Sequence, residues 1–416
     1  MHISSMRKQP SVLLEEPLTD ANLDRKLSEI GFGPFQVTLL VLVGFFCFAQ
    51  AALGVVEHEL LKTESGGRQL TLSVCQAGAF SVGCLASGIL SDRFGRRTFV
   101  ILGYSLMAFA LYSSKTTMVD IQLSLVQLGL GLGLPSAISL VGESGPKNLS
   151  GMSISLLMLF WLVGEQYVRL GQWLLPGTYQ AEVEFLSVPV FFVMLACSVL
   201  LHESPACLRS DCFALNLLLR RMRETNRVDG GEVTVQFVPV RVVVGGEGVR
   251  WARMFLGGIF LALFNLVLVL ARETHVITGL LIEFTFVFCA GLITCFTNTG
   301  RVVQIFPFIM AALSAAGLLR SVPPYLVLVL LKAMALALLV LTCTQLSNHG
   351  ERAGALALGK LMAAVCPWFS KSEYVEMSVG VLGLVVGLVS LGMGRLDDRE
   401  EVKKKISTIP VLYTPE

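Results

Sequence analysis

The chain has 416 residues, of which 54% are hydrophobic and 15% charged, with a mean hydropathy of +0.71. Water-soluble domains sit near about 45–50% apolar and roughly a quarter charged, so a soluble globule is excluded. A formal net charge of +2 offers no field for a polyelectrolyte, and no nucleic-acid partner is expected.

Residues 1–34 form a polar tail with no continuous apolar stretch, so the first span is expected to serve as an uncleaved insertion signal. Crossing ~30 Å of hydrocarbon takes ~20 apolar residues. Twelve stretches qualify, at about 35–56, 70–91, 98–114, 119–142, 152–174, 186–202, 252–272, 275–296, 303–319, 323–344, 353–370 and 375–394. Six precede a charged segment and six follow it. The expected organisation is an N-terminal tail (1–34), a six-helix bundle (35–202), a central linker (203–250), a second six-helix bundle (251–394) and a C-terminal tail (395–416). Within the linker, LRRMRETNR reads as a short amphipathic helix, whereas the Val- and Gly-rich stretch after it matches no element.

An even number of spans puts both tails on one side, and basic residues mark the cytoplasm. Of the 32 Lys and Arg, 23 fall in segments on the side of the tails, 6 on the other side and 3 inside spans (Arg169, Lys332, Lys360). Both termini are therefore expected to be cytoplasmic, in a multi-pass protein of the plasma membrane or a vesicle membrane. Asn148-Leu149-Ser150 fits a glycosylation acceptor but falls on the cytoplasmic side. The ten cysteines include no CxxC pair and read as inert thiols. With no metal-ligand spacing, no G-x-S-x-G and no P-loop, neither an enzyme, a cofactor nor ATP-driven pumping is expected.

Between the second and third spans stands Gly88-Ile89-Leu90-Ser91-Asp92-Arg93-Phe94-Gly95-Arg96-Arg97. Asp92 closes one helix, Gly95 allows a turn with positive φ, and the arginines reach the interface where carboxylates of neighbouring helices can pair with them. The stretch resembles the signature loop of the major facilitator superfamily, G-x-L-x-D-R-x-G-R-R/K. The resemblance implies an all-α membrane protein of twelve transmembrane helices in two six-helix pseudo-repeats. After the eighth span, Thr297-Asn298-Thr299-Gly300-Arg301 is a faint echo that keeps Gly and Arg301 but lacks the acid.

Further stretches resemble the branch containing the synaptic-vesicle-two-related proteins and the organic cation/anion transporters. These are Ile30-Gly31-Phe32-Gly33-Pro34-Phe35-Gln36 with Gly44, Glu143-x-x-Pro146 with Gly151, Glu203-Ser204-Pro205 with Leu208, and the Arg352, Lys360 and Pro367 spacing. The chain departs from that pattern at Ser150, Gln127 and Gln345, where the branch carries Arg, Arg and Glu, and at Gln50, where relatives often carry an acid. The resemblance implies gating roles for Gly88, Asp92, Arg93, Gly95, Arg96, Arg97, Glu143, Arg301 and Arg352.

Ionised groups in the bilayer are costly, at about 3 kcal/mol or more each, and so need a purpose. Glu165 and Arg169 in the fifth span share a face at i,i+4 and either pair with each other or line a central aqueous cavity. Glu283 in the eighth span, Lys332 in the tenth and Lys360 in the eleventh complete the set. Lys360 either faces substrate, pairs with Glu283 or snorkels. Trp161 lies about one turn before Glu165 and offers an aromatic face, and Gln50 is a further candidate lining residue. Glu165 or Glu283 is a candidate carrier of a coupling proton or other ion. The reading is a secondary transporter moving a small organic solute, an anion by the charge of Lys360 and Lys332. The alternatives are a carrier of organic cations or sugars, or a transport-deficient binding or regulatory protein. Its partners are then the solute and the lipid bilayer.

Overall fold

The computed structural model describes residues 20–63, 66–113, 119–175, 179–228, 247–270, 277–296, 299–318, 324–346 and 348–364. The twelfth expected span, the end of the eleventh, the C-terminal tail and the Val- and Gly-rich part of the linker lie outside them. The described residues form an all-α fold. The helices are α1 (Asp20–Ile30), α2 (Pro34–Thr63), α3 (Gly66–Phe94), α4 (Arg96–Tyr112), α5 (Val119–Glu143), α6 (Ser150–Leu174) and α7 (Tyr179–Leu200), followed by α8 (Cys212–Asn226), α9 (Glu247–Leu270), α10 (Ile277–Phe296), α11 (Thr299–Leu318), α12 (Pro324–Gln345) and α13 (His349–Ala364). Eleven expected spans thus correspond to α2–α7 and α9–α13. Six of these helices, α2, α3, α5, α6, α7 and α12, are long and apolar enough by themselves to cross a membrane.

The two largest boundary differences from the sequence reading, seven residues each, have the same reason. Helix α2 runs on through Glu57 to Thr63, and α7 begins at Tyr179, seven residues early, taking in Glu182. Acids interrupt an apolar run, but Glu57 and Glu182 are both buried against neighbouring helices, so the helix does not stop at them.

Helices α2–α7 pack on one another chiefly through α3, α4 and α6 against α5 and α2, and α9–α13 through α9 against α13 and α12 against α10 and α11. The two halves meet along two seams, α3 against α13 and α6 against α10 and α12. Small residues set the approach within the first half: a Cβ on Gly131 would collide with the Phe80 backbone, and one on Gly164 with that of Phe48. Apart from this core, Leu23, Leu27 and Ile30 of α1 pack on Leu215, Leu219 and Met222 of α8. Both triplets have i, i+4, i+7 spacing, one apolar stripe meeting another. The amphipathic reading of LRRMRETNR is thus realised in α8, which Asp211 caps by accepting from Ala214 N at 3.0 Å.

Candidate functional site

The signature loop is a tight corner. Helix α3 ends at Phe94, Gly95 turns at φ +88°, and α4 starts at Arg96. A side chain at Gly95 would be strained by that φ and would strike the Glu203 carboxylate. Glu203 Oε1 accepts from the backbone N–H of Arg96 at 2.9 Å and of Arg97 at 3.3 Å, placing an anion on the positive end of α4. The buried Arg96 guanidinium pairs with Glu143, reaches Asp92 at 3.4 Å and donates to Ser204 Oγ at 3.2 Å. Ser204 in turn donates to Glu143 Oε2 at 2.5 Å. Arg97 Nη2 donates to the Ser198 carbonyl, and the side chain of Arg93 is exposed. The sequence presents Glu203 and Ser204 only within a family-like stretch, and the Glu-Ser-Pro triplet at 203–205 is the signal for this role.

These ion pairs all lie within the first half. Contacts between the halves at this end are of another kind. Gly88 lies against Ala353, so closely that a Cβ on the glycine would not fit. His349 Nε2 is 3.2 Å from the Ser87 carbonyl, and His349 Nδ1 is 2.9 Å from Ser139 Oγ. Arg352 donates from Nη1 to Ser139 Oγ at 3.2 Å and from Nε to the Cys343 carbonyl at 3.0 Å, joining α13 to α5. Arg301 falls in the first turn of α11, and its side chain lies outside the described residues.

Deeper in the bundle, Glu165, Lys332 and Glu283 converge. Lys332 Nζ lies 2.7 Å from Glu165 Oε2 and 3.0 Å from Glu283 Oε1, and its side chain is 3% exposed. Arg169 Nη2 is 3.8 Å from Glu165 Oε2, and Trp161 Nε1 donates to Glu165 Oε1 at 3.2 Å. Glu165 and Arg169 belong to the first half, Glu283 and Lys332 to the second, so each half contributes one acid and one base. Glu283 is thus committed to Lys332, and Glu165 pairs across the seam as well as at i,i+4.

Beside this cluster, a cavity of about 30 Å³ lies between the halves, lined among others by Gln50, Phe80, Trp161, Phe264, Asn265 and Lys360. That is room for about two waters. Trp161 meets Phe264 edge-on across the seam at 5.6 Å, and Lys360 Nζ stands 5.8 Å from the Phe80 ring centre. Gln50 Oε1 is buried with no hydrogen-bond partner among the described residues. Of the predicted binding residues, Gln50, Trp161 and Lys360 line the cavity, whereas Lys332, Glu165, Glu283 and Arg169 form the charge cluster.

A family model described as "Sugar (and other) transporter" matches residues 42–211. The fold is that of solved major facilitator structures. The proton:xylose symporter XylE of E. coli superposes with a TM-score of 0.60 at 12% identity, over 91% of this chain and 96% of that one. The family model covers less than half of the chain, and the solved structures show the fold. The niacin transporter NiaP of Acinetobacter baylyi is 30% identical over 188 residues, 41% of this chain and 42% of that protein. Synaptic vesicle glycoprotein 2A of Homo sapiens is 29% identical over 160 residues, 35% of this chain and 21% of that protein. The matched segments span well under half of either relative. The similarity to the synaptic-vesicle-two-related branch rests on these partial matches.

Proposed function

We propose that this chain is a secondary transporter that carries a small organic anion by alternating access, its two halves rocking about the central cavity. The observation that carries the reading is the cavity on the seam, lined from both halves by the Lys360 cation, aromatic faces and the open acceptor of Gln50. Coulomb attraction to Lys360 favours an anion, and Trp161, Phe80 and Phe264 favour a flat one. Similarity to a niacin transporter supports a compact organic cargo, and the basic residues support a motif end facing the cytoplasm.

The charge cluster fits a moving interface. Separation of the halves at Glu165 and Lys332 breaks one cross-seam bond and leaves Glu165 with Arg169 and Trp161, and Lys332 with Glu283. Neither half is then left with an uncompensated buried charge, the outcome that makes broken buried pairs costly. The bond is therefore a latch that reopens without a large penalty.

The test is flux in liposomes containing the purified chain, with radiolabelled nicotinate compared with an organic cation and a sugar. Saturable anion uptake, reduced at least about tenfold by Lys360→Ala, is the expected result. Uptake of the cation or the sugar alone refutes the anion reading. Binding without flux would mark a carrier fold that has lost transport, the reading that the neutral residues Ser150 and Gln345 favour.

A further inference from the structure

The side chains around the seam cavity spend their hydrogen-bond donors on one another and on the backbone. Trp161 Nε1 donates to Glu165 Oε1 at 3.2 Å, and Asn265 Nδ2 donates to the Leu261 carbonyl at 2.7 Å. The Cys47 thiol lies 3.7 Å from Met158 Sδ. Gln50, three residues after Cys47 on α2, faces the same cavity and is 7% exposed. Among the described residues nothing donates to its Oε1.

A buried amide oxygen without a partner is costly until something that enters the cavity supplies a hydrogen. The walls therefore make two unlike demands. Lys360 offers a cation to an anionic group, and Gln50 offers an acceptor to an O–H or N–H. A carboxylate meets only the first, because an ionised carboxyl has no hydrogen to give. An aromatic acid whose ring also carries a hydroxyl meets both, with its apolar face left for Trp161, Phe80 and Phe264. The amide suits this work better than an acid at position 50, since it accepts a hydrogen bond without repelling the charge that Lys360 attracts. A site built around a hydroxyl rejects the analogue that lacks it, because the acceptor is then stranded.

We propose that Gln50 is a specificity-determining residue that reads a hydrogen-bond donor on the cargo, and that the cargo class is a hydroxylated aromatic carboxylate in preference to a plain one. The carboxylate half of this assignment rests on the anion-carrier reading above. The hydroxyl half rests on Gln50 and its cavity.

Equilibrium binding to the purified chain in lipid nanodiscs tests the two halves separately. The probes are benzoate, its 3-hydroxy and 4-hydroxy derivatives, and the methyl esters of all of these. The better hydroxylated acid is expected to bind at least about tenfold tighter than benzoate. In Gln50→Met, which keeps the length of the side chain but not the amide, that ratio is expected to fall to about one through loss of affinity for the hydroxylated acid. An unchanged thermal midpoint shows that the variant is folded. Gln50→Asn, which draws the acceptor back by one methylene, is expected to lose part of the preference. Equal binding of benzoate and both hydroxylated acids by the wild type, the result if a water satisfies Gln50, overturns the proposal. A preference that survives Gln50→Met overturns it too, as does the absence of binding by every probe. If acids and esters bind alike, the anion reading fails on its own. The hydroxyl preference among the esters, and its loss in Gln50→Met, then still decides the role of Gln50.

Discussion

The motif corner and the charge cluster are built from the same side chains and do opposite things. At the corner, Arg96, Glu143, Glu203 and Asp92 are gathered within one half, and backbone N–H groups and a serine hydroxyl complete the carboxylates' bonding. In the cluster, Glu165 and Lys332 reach across the seam, and each has a second partner in its own half. The corner has no internal alternative for Arg96 beyond the exposed Asp92. In the cluster, the two residues that meet across the seam, Glu165 and Lys332, each have an alternative. A fixed network braces the fold, and a doubly partnered one allows a change of state.

That difference sets an order of effects. Arg96→Met is expected to cost the most, about 3–5 kcal/mol, because it strands Glu143 and removes the link between α4 and Ser204. Thermal or denaturant unfolding in detergent measures it, and a loss below about 1 kcal/mol would make the corner a surface feature instead of a brace. Lys332→Met is expected to cost about 3 kcal/mol, mostly by stranding Glu283, since Glu165 keeps Arg169 and Trp161. Adding Glu283→Gln to Lys332→Met is then expected to recover stability, and a strictly additive double variant would contradict the pairing.

Glu165→Gln sharpens the contrast further. It weakens the bond across the seam and the longer pairing with Arg169 while Lys332 keeps Glu283, so stability is expected to fall by about 1 kcal/mol. The balance between closed and open forms is expected to move more than the stability does. Cys47, buried and lining the cavity, reports on this. Its alkylation by a small thiol reagent, followed on its own peptide by mass spectrometry, is expected to accelerate about tenfold, a population shift of roughly 1.4 kcal/mol. An unchanged rate would mean that the Glu165–Lys332 bond latches nothing.

The sequence made much of this architecture legible, for reasons that also set its limits. Apolar runs located the helices because lipid demands continuous hydrophobic length, which is a local property. Glu165, Lys332 and Glu283 were each noticed because charge in an apolar run is conspicuous. Only the i,i+4 pair, Glu165 with Arg169, was deducible as a contact. The partner at 2.7 Å lies 167 residues away, and spacing carries no trace of it. Glu57 falls just outside the first expected span because an acid ends an apolar stretch, yet α2 carries it as a buried helical residue. The corner was read better, since its chemistry is compressed into ten consecutive residues, yet Glu203 came into it only through the fold.

The smallest expected effect lies near the corner and concerns acid. His202 follows α7 and stacks on Phe35 at 5.8 Å, where the start of α2 meets the linker. Desolvation first, then the positive charges of Arg221 and Arg97, hold its pKa below the ordinary 6.5. The unfolded chain therefore binds this proton at higher pH than the folded one does. The contribution of neutral His202 is fully present above pH 6.5 and is lost as pH falls through that value toward the lower folded one. His202→Gln removes the titration, so between about pH 8 and pH 5 its thermal midpoint is expected to fall ~1 °C less than that of the wild type. Parallel slopes would mean that the ring is as free to charge in the fold as out of it.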